Sequence, residues 1–438
     1  MERLQLLIKV LLFSAILWPT SVWADAGDTE DNPLEVSTWA DLRTAMLNGT
    51  TYIKLMADCI CSNTSGHLIV QSGKEVVLDL NGYMIDRNLT EGTKSHVIYN
   101  AGTLTIKDTY TGTDRTHTII VDDEPITITG GLITGGNTYH DSSDSSHGGG
   151  IFNNNTFILE SGTIAGNIAY NYGGGIYLDN GSTFLMKGGS IRYNTANKGG
   201  GVYLWGRTTV CSITISGGTI ANNIVKNSGS GGGLFTGNNH NTINICGNPI
   251  IKDNINKNDL DNITKDNIIF TTSQTIYVID VLSEEAEIHI NPNFYSVKTN
   301  GLNGRGSLSS FISDNEGRLF RLDANGEAVA VSAYLITISE SENGSVTASA
   351  TKGAKDDIIT ITSTPDDGYY LASLTANSTD ILETKQFTIT NQDVTITATF
   401  APKASITPNV SLTNWVYGNT ASTPTVDGNP GNGDVTYA

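Results

Sequence analysis

Between about residues 126 and 254 the chain repeats itself, and the step of that repeat restricts the fold more than any other property. The segments Ile126–Gly131, Phe157–Gly162, Phe184–Gly189 and Ile213–Gly218 align, and Ile243–Gly247 adds a fifth. Their first residues are 31, 27, 29 and 30 apart. That step is too variable for a coiled coil and too short for independent domains. It predicts a solenoid, in which each unit buries its apolar face only against its neighbours.

Within each unit the apolar residues alternate, as in Phe157/Leu159 and Ile213/Ile215, so the side-chain period is two and the segments are strands. Three residues after a recurring Ile stands an Asn, at Asn167, Asn194, Asn223 and Asn254. Asn tolerates left-handed backbone, and its amide can both donate to and accept from an equivalent amide one turn away. The four are expected to stack as a ladder at one corner. Glycine clusters recur at 148–150, 173–175, 199–201 and 231–233, where they permit positive φ and close backbone approach. Each unit therefore reads as strand, Gly turn, short strand, Asn corner, loop, Gly corner and strand.

Residues 1–26 read as a secretory signal: Arg3 and Lys9 lie in the polar start, Val10 to Trp18 form an apolar core, and Ala24-Asp25-Ala26 fits a cleavage site. The apolar run is too short for a bilayer span, and no later segment reads as transmembrane. The expected location is secreted or on the cell surface. Acids number 44 against 25 bases, a net charge of −19 that opposes phosphate backbones, so no nucleic-acid partner is expected. With 47 Gly and 16% charged residues the composition is that of a β-rich chain.

Four cysteines in an exported chain invite disulfides, yet Cys59 and Cys61 are next-but-one on an extended segment and about 6.5–7 Å apart at Cα. The alignment sets Cys246 opposite Ser216, five positions from Cys211, so that pair is not expected to close either. A Cys-x-Cys metal site would need a further Cys or His pair close by, so neither a metal nor a cofactor is assigned.

Along the chain, Thr38 and Asp41 have capping-box-like spacing before Leu42, Ala45 and Met46, predicting a capping helix over 36–48. Residues 50–332 form the solenoid: Glu75–Gly82 and Thr103–Asp108 are early coils, the repeat blurs after 255, and Phe311 to Val331 supplies closing coils. Residues 134–147 are a polar loop with His140, Asp141, Asp144 and His147, read as a solvated excursion, with a metal or catalytic loop as the alternative. A separate β module of alternating strands spans 333–403. Residues 404–438 look like the start of another β repeat, ending in mid-pattern, so the chain reads as a fragment of a longer protein.

These motifs carry a resemblance. Val76 to Gly82 ahead of Tyr83-Met84-Ile85, and the Gly-Gly-x-Ile-x-x-Asn to Gly-Gly-Gly-Val-Tyr unit over 188–203, resemble the right-handed parallel β-helix proteins of the pectate-lyase-like superfamily, and within it the adhesin-like exported proteins of gut and rumen microbes. Tyr334 to Phe400 is similar to the divergent internalin-type bacterial repeat. The expected fold is therefore all-β: a right-handed parallel β-helix solenoid with an N-terminal capping helix, a small β module and a partial second one. The resemblance specifies activity weakly, because one scaffold carries lyases, hydrolases and non-enzymatic adhesins.

A β-helix hydrolase needs carboxylates meeting on neighbouring coils. The outward column Thr127, Ile158, Leu185, Thr214, Asn244 and the column Leu132, Thr163, Ser190, Thr219 contain none. A lyase needs Arg or Lys beside calcium-binding acids, and Lys187 and Arg192 have no recurring acidic neighbours. Asp122, Asp123 and Glu124 form the densest acidic cluster, read as a solvated turn. No catalytic residue is assigned. The suggestive column follows the Gly clusters, where an apolar residue precedes an aromatic: Phe152, Tyr177, Tyr203 and Phe235, with Trp205 two beyond Tyr203. Turned outward, these flat faces form a ladder able to stack on sugar rings; the alternatives are bracing of the sheet, or a reversed phase that puts them in the core. The expected function is a non-catalytic, monomeric surface or adhesin-like protein with a glycan or host-surface ligand, and the alternative is a carbohydrate-active lyase or glycosidase.

Overall fold

The computed structural model describes residues 25–62, 66–89, 95–138, 146–238, 240–257, 262–292, 296–404, 409–411, 416–420 and 425–427. The signal segment up to residue 24, and His140, Asp141 and Asp144, lie outside the described residues. The described residues are all-β with one α-helix, and the chain forms two compact units, Met1–Val331 and Ser332–Ala438.

In the first unit the strands pair in parallel with their equivalents one repeat away. One run passes from Leu34–Val36 through Tyr52–Leu55, Glu75–Asp79, Thr103–Lys107, Thr156–Leu159 and Thr183–Met186 to Ser212–Ala221, Thr242–Lys252 and Gln274–Leu282. A second links Cys59–Ile60, Met84–Asp86, Leu132–Thr134, Thr163–Ala165 and Ser190–Arg192 to the later halves of the same long strands. A separate seven-stranded sheet stacks Leu68–Val70, Ile98–Asn100, Ile151–Asn153, Ile176–Leu178, Val202–Leu204, Leu234–Thr236 and Ile268–Phe270. A six-stranded sheet follows the Asn corner. Near the end, Ala328–Ser332 pairs antiparallel with Val297–Asn300, which ends the parallel order.

Period-two alternation explains the core. Phe157, Leu159, Phe184, Met186, Ile213 and Ile215 from the first run meet Ile164, Ile191 and Ile220 from the second and Ile151, Ile176, Val202 and Leu234 from the third, all buried in one cluster. Phe157 and Phe184, one rung apart, stack at 5.1 Å and 11°. Each such side chain contributes about 1.5–3 kcal/mol relative to exposure. The helix Trp39–Asn48 turns Trp39, Leu42, Ala45 and Met46 into this core. Thr38 Oγ1 accepts the Asp41 N–H at 3.2 Å, and Gly49 closes the helix in the left-handed region at φ 75°.

The alignment places Ile126–Thr129 on the repeat, and the structure corrects that. Residues Thr116–Val121 and Glu124–Thr129 form an antiparallel hairpin, and the strand pairing with Thr156–Leu159 is Thr103–Lys107. Ile-Thr-Ile-Thr alternates equally well in either setting, so the pattern alone could not tell them apart. The outward column accordingly begins with Thr105, not Thr127. Asp122 and Asp123, at φ 48° and 66°, are the two-residue turn of this hairpin, a geometry that short polar side chains tolerate. The hairpin buries Ile119 and Ile128 against Leu132 and Ala165, and Asp122 holds Lys226 and Lys257 at 3.2 and 3.1 Å.

The second unit has a five-stranded sheet in which Tyr334–Ile338 runs parallel to Val394–Pro402, itself antiparallel to Tyr369–Ala376. A three-stranded antiparallel sheet holds Gly344–Ala348, Ile358–Pro365 and Gln386–Thr388. Its own core gathers Ile336, Ile361, Leu374, Ile389, Ile396 and Phe400.

Candidate functional site

Two stacked columns of side chains dominate the first unit. At the Asn corner, Nδ2 of Asn167 donates to Oδ1 of Asn194 at 3.0 Å, Asn194 to Asn223 at 3.0 Å, Asn223 to Asn254 at 2.9 Å and Asn254 to Asn267 at 2.7 Å. Each of those Oδ1 atoms also accepts the backbone N–H of the preceding Asn, and each Nδ2 also reaches a main-chain carbonyl. All five are fully buried. The amides are saturated, so this column holds structure and has no capacity left for a ligand. The left-handed residue is the one before each Asn: Gly166, Tyr193, Asn222 and Asp253 have φ between 55° and 68°, whereas the ladder Asn residues do not have positive φ. That turn aims the next side chain inward.

The glycine column works by contact. A Cβ on Gly174 would stand 2.5 Å from the carbonyl oxygens of Gly200 and Thr195, and one on Gly175 would stand 2.7 Å from that of Gly201.

At the far end the Asn ladder runs into charge. Asn267 donates from its backbone N–H and Nδ2 to Asp314, whose side chain is fully buried. His289 Nδ1 lies 3.2 Å from Asp314 and its Nε2 2.9 Å from Glu287, which Lys252 meets at 2.6 Å. The Asp314 carboxylate raises the His289 pKa; burial opposes this and Glu287 adds to it. Burial also pushes the nearby Asp266 carboxyl up to about 7, against the hydrogen bond it accepts from the Gly231 N–H.

The aromatic column lies on the seven-stranded sheet, on the face opposite the core, because its partners Ile151, Ile176, Val202 and Leu234 point inward. Register aligns Tyr99, Phe152, Tyr177, Tyr203 and Phe235 on successive strands. Neighbouring ring centres are 5.5, 4.9, 5.8 and 5.3 Å apart. The expected phase holds, but the faces are covered: Phe152, Tyr177, Tyr203 and Phe235 are only 2–5% exposed. A second file of rings lies alongside. His147 stacks on Tyr172 and on Tyr177, both at 4.8 Å, Tyr172 stacks on Tyr203 at 4.5 Å, and half-buried Trp205 lies 6.0 Å from Tyr172. Burial, with Tyr172 adding, pushes the Tyr203 hydroxyl well up.

The column opens at its Tyr99 end. There a cavity of about 470 Å³ is lined by His67, Ile69, His96, Tyr99 and Phe152, with Asn154 and Asp179 at its polar side. Asn154 Nδ2 donates to the Tyr99 hydroxyl at 3.5 Å. The His67 and His96 rings are 5.0 Å apart and each 6.1 Å from Tyr99. Burial holds the His96 imidazole down to about 3, with His67 adding, and His67 is lowered by burial and then by Arg87 and Arg43. Tyr99, His96 and His67 escaped the sequence reading because no Gly cluster precedes Ile98. The signal was nonetheless present, since Ile98-Tyr99-Asn100 matches Ile151-Phe152-Asn153 in the pairing.

A charged column also escaped it. Register sets Glu35, Lys54, Asp79 and Lys107 side by side on the first parallel run, bordering a cavity of about 470 Å³ that Glu30 and Asp31 complete. Lys54 is 3.8 Å from Asp79, and Lys107 pairs with Glu30. Asp79 is 5% exposed and accepts from Asn81 N, Thr109 N and Thr109 Oγ1. Lys187, expected to have no recurring acidic neighbours, meets a single acid, Glu160, at 3.0 Å, in a pair open to solvent. The four cysteines are free thiols; burial pushes Cys59 up to about 12 and raises Cys211 and Cys246. Among the described residues no group of three His, Cys, Asp or Glu is placed to hold a metal, and no helix is long and apolar enough to cross a membrane.

The class so defined is an all-β chain of stacked parallel strands followed by a small, mainly antiparallel unit. A family model, the divergent InlB B-repeat domain, matches residues 334–404, which is most of the described part of that second unit. No curated protein and no solved structure matches the chain.

Proposed function

We propose that this chain is an exported, non-catalytic bacterial surface protein of the adhesin type. Its first unit is a right-handed parallel β-helix of pectate-lyase-like kind that presents a glycan-binding face, and residues 333–403 act as a spacer module, with 404–438 the start of another. The observation that carries this reading is the aromatic column on the outward face of the seven-stranded sheet, whose covered rings Phe152, Tyr177, Tyr203 and Phe235, with half-buried Trp205 alongside, lead to a cavity at Tyr99. Support for a surface location comes from the InlB-type repeat over 334–404 and from the secretory pattern of residues 1–26. The chain acts as a monomer, without cofactor or nucleic acid. The test is to incubate the purified chain with uronate and neutral polysaccharides, with and without calcium. Retention on a polysaccharide with no new reducing ends and no unsaturated products is expected; turnover would end the non-catalytic reading.

One observation favours a second reading, a polysaccharide lyase or glycosidase. The Glu35–Lys54–Asp79–Lys107 column puts amines between carboxylates on adjacent strands, the pairing that proton abstraction or general acid catalysis requires. Under this reading any turnover seen in the same assay disappears in Lys54→Ala and Lys107→Ala. Under the first reading there is none to lose.

A further inference from the structure

The chemistry of the cavity at the Tyr99 end is more specific than a general glycan face. It is lined by aromatic rings and Ile69, with an amide from Asn154 and a carboxylate from Asp179. Its volume, about 470 Å³, lies within the range of small-ligand sites. The polar groups include a donor, the Asn154 amide, and an acceptor, Asp179; the imidazoles spend their Nδ1–H groups on the His147 carbonyl and on Ser95 Oγ, which leaves their second nitrogens as acceptors. A ligand must therefore offer both hydrogen-bond acceptors and donors together with a flat C–H face. An ammonium ion fits poorly, since it brings no acceptor for the Asn154 amide. An anion fits worse, because Asp179 is the charged group among the described lining residues and the chain carries a net −19. The two imidazoles add no compensating charge, being held neutral by burial.

We infer that the cavity lined by His67, His96, Tyr99, Phe152, Asn154 and Asp179 is a binding site for a neutral pyranose, one ring face packed on Tyr99 and its hydroxyls shared between Asn154 and Asp179. This rests on the glycan reading above and moves the contact point. Tyr177 and Tyr203, at 3% and 5% exposure, brace the column, and a sugar meets it where the covering file of rings stops.

The experiment is calorimetric titration of the full chain with cellobiose, maltose and lactose, with digalacturonate, and with tetramethylammonium, repeated on variants whose thermal unfolding matches the parent. A neutral disaccharide is expected to bind, digalacturonate and tetramethylammonium at least tenfold more weakly. Tyr99→Ala should lose at least tenfold in affinity and Tyr99→Phe less than threefold, which separates loss of the ring from loss of fold. Asp179→Asn should lose three- to tenfold for the neutral sugar and narrow the gap to digalacturonate, while Glu160→Gln, on a different sheet, leaves affinity unchanged. If Trp205→Ala abolishes binding and Tyr99→Ala does not, the site is wrong and the glycan reading stands. Tighter binding of the uronate or the cation overturns the ligand class. Absence of binding by every sugar overturns the site and the glycan reading together.

Discussion

The Asn corner and the aromatic column are built by the same operation, the superposition of one residue type on strands that pair in parallel, and they end in opposite states. At the corner each amide spends its whole hydrogen-bonding capacity on the next amide and on main-chain carbonyls, in full burial. The rings have no such valence to fill. They gain from contact area and offset stacking, which any flat neighbour supplies, so His147 and Tyr172, paired in parallel with each other one residue before the glycine clusters, and Trp205 join the column from alongside, and it stays open at one end. A polar ladder is specific and closed to ligands; an aromatic ladder is tolerant and can accept one.

The sharpest break of that comparison is substitution in the middle of each column. Asn223→Ala removes the acceptor of the Asn194 backbone N–H, one bond each from the Asn194 and Asn254 amides and the side-chain donor of two main-chain carbonyls, and the first unit is expected to lose about 3–6 kcal/mol by denaturant unfolding. Asn223→Leu, which fills the space, should cost nearly as much, because the loss is of hydrogen bonds. A small loss for Leu alone would make the corner a packing device. Tyr203→Ala is expected to cost about 3–5 kcal/mol, since the ring is 5% exposed and packed on three others. Tyr203→Phe should stay within about 1 kcal/mol, because the stack uses the ring. Equal intolerance of both substitutions would erase the distinction drawn here.

The two columns also end on groups that titrate with opposite sign. His96 sits at the open end of the aromatic column with its pKa depressed to about 3, so its neutral form is the one the fold favours. Stability there is present above the unfolded pKa near 6.5 and falls as pH drops toward 3, by on the order of a few kcal/mol. His289, at the end of the Asn ladder, is raised by Asp314, and Asp266 is raised to about 7. Their contributions are present below the unfolded values and are lost as pH rises through the folded ones, about 7 for Asp266. Hydrogen exchange followed by mass spectrometry should show residues 95–100 loosening first in acid and residues 266–270 loosening first above neutrality. The same order at both extremes would refute the assignment. His289→Gln should flatten the alkaline arm and leave the acid arm in place.

The smallest expected effect lies between the columns. The Lys187–Glu160 pair has side chains 53% and 39% exposed, and Lys187→Ala should change stability by less than about 0.5 kcal/mol. A larger loss would mean that surface charge pairing between neighbouring strands adds to the register that the two columns set.

Most of the first column is legible in the amino-acid sequence. Asn167, Asn194, Asn223 and Asn254 stand at constant offsets from an apolar pair, and a residue that must face its own copy is visible as periodicity. Asn267 and Asp314 were not, because the final amide arrives 13 residues after Asn254 and its acceptor comes from a distant strand. The phase of the aromatic column was legible too, but its covering was not. Tyr172 and His147 share a repeat position, one residue before a glycine cluster, but nothing local to them says that their rings will lie over the neighbouring sheet. The hairpin over 116–129 went the other way, since its Ile-Thr alternation imitated a repeat strand. The acidic turn at Asp122-Asp123 was the better signal there.

What the amino-acid order determines on its own is the local and periodic part: strand from alternation, a corner from Asn after Ile, close backbone approach from Gly clusters, and a helix start at Thr38. These depend on near neighbours or on strict recurrence, and both are written along the chain. Only the tertiary structure decides which faces remain uncovered, that the charges of Glu35, Lys54, Asp79 and Lys107 stand side by side, and that the aromatic column closes over Tyr203 and opens at Tyr99. Exposure is a property of everything that packs around a residue, and the residues that pack around Tyr99 come from segments more than 25 residues apart, His67, Phe152 and Asp179 among them.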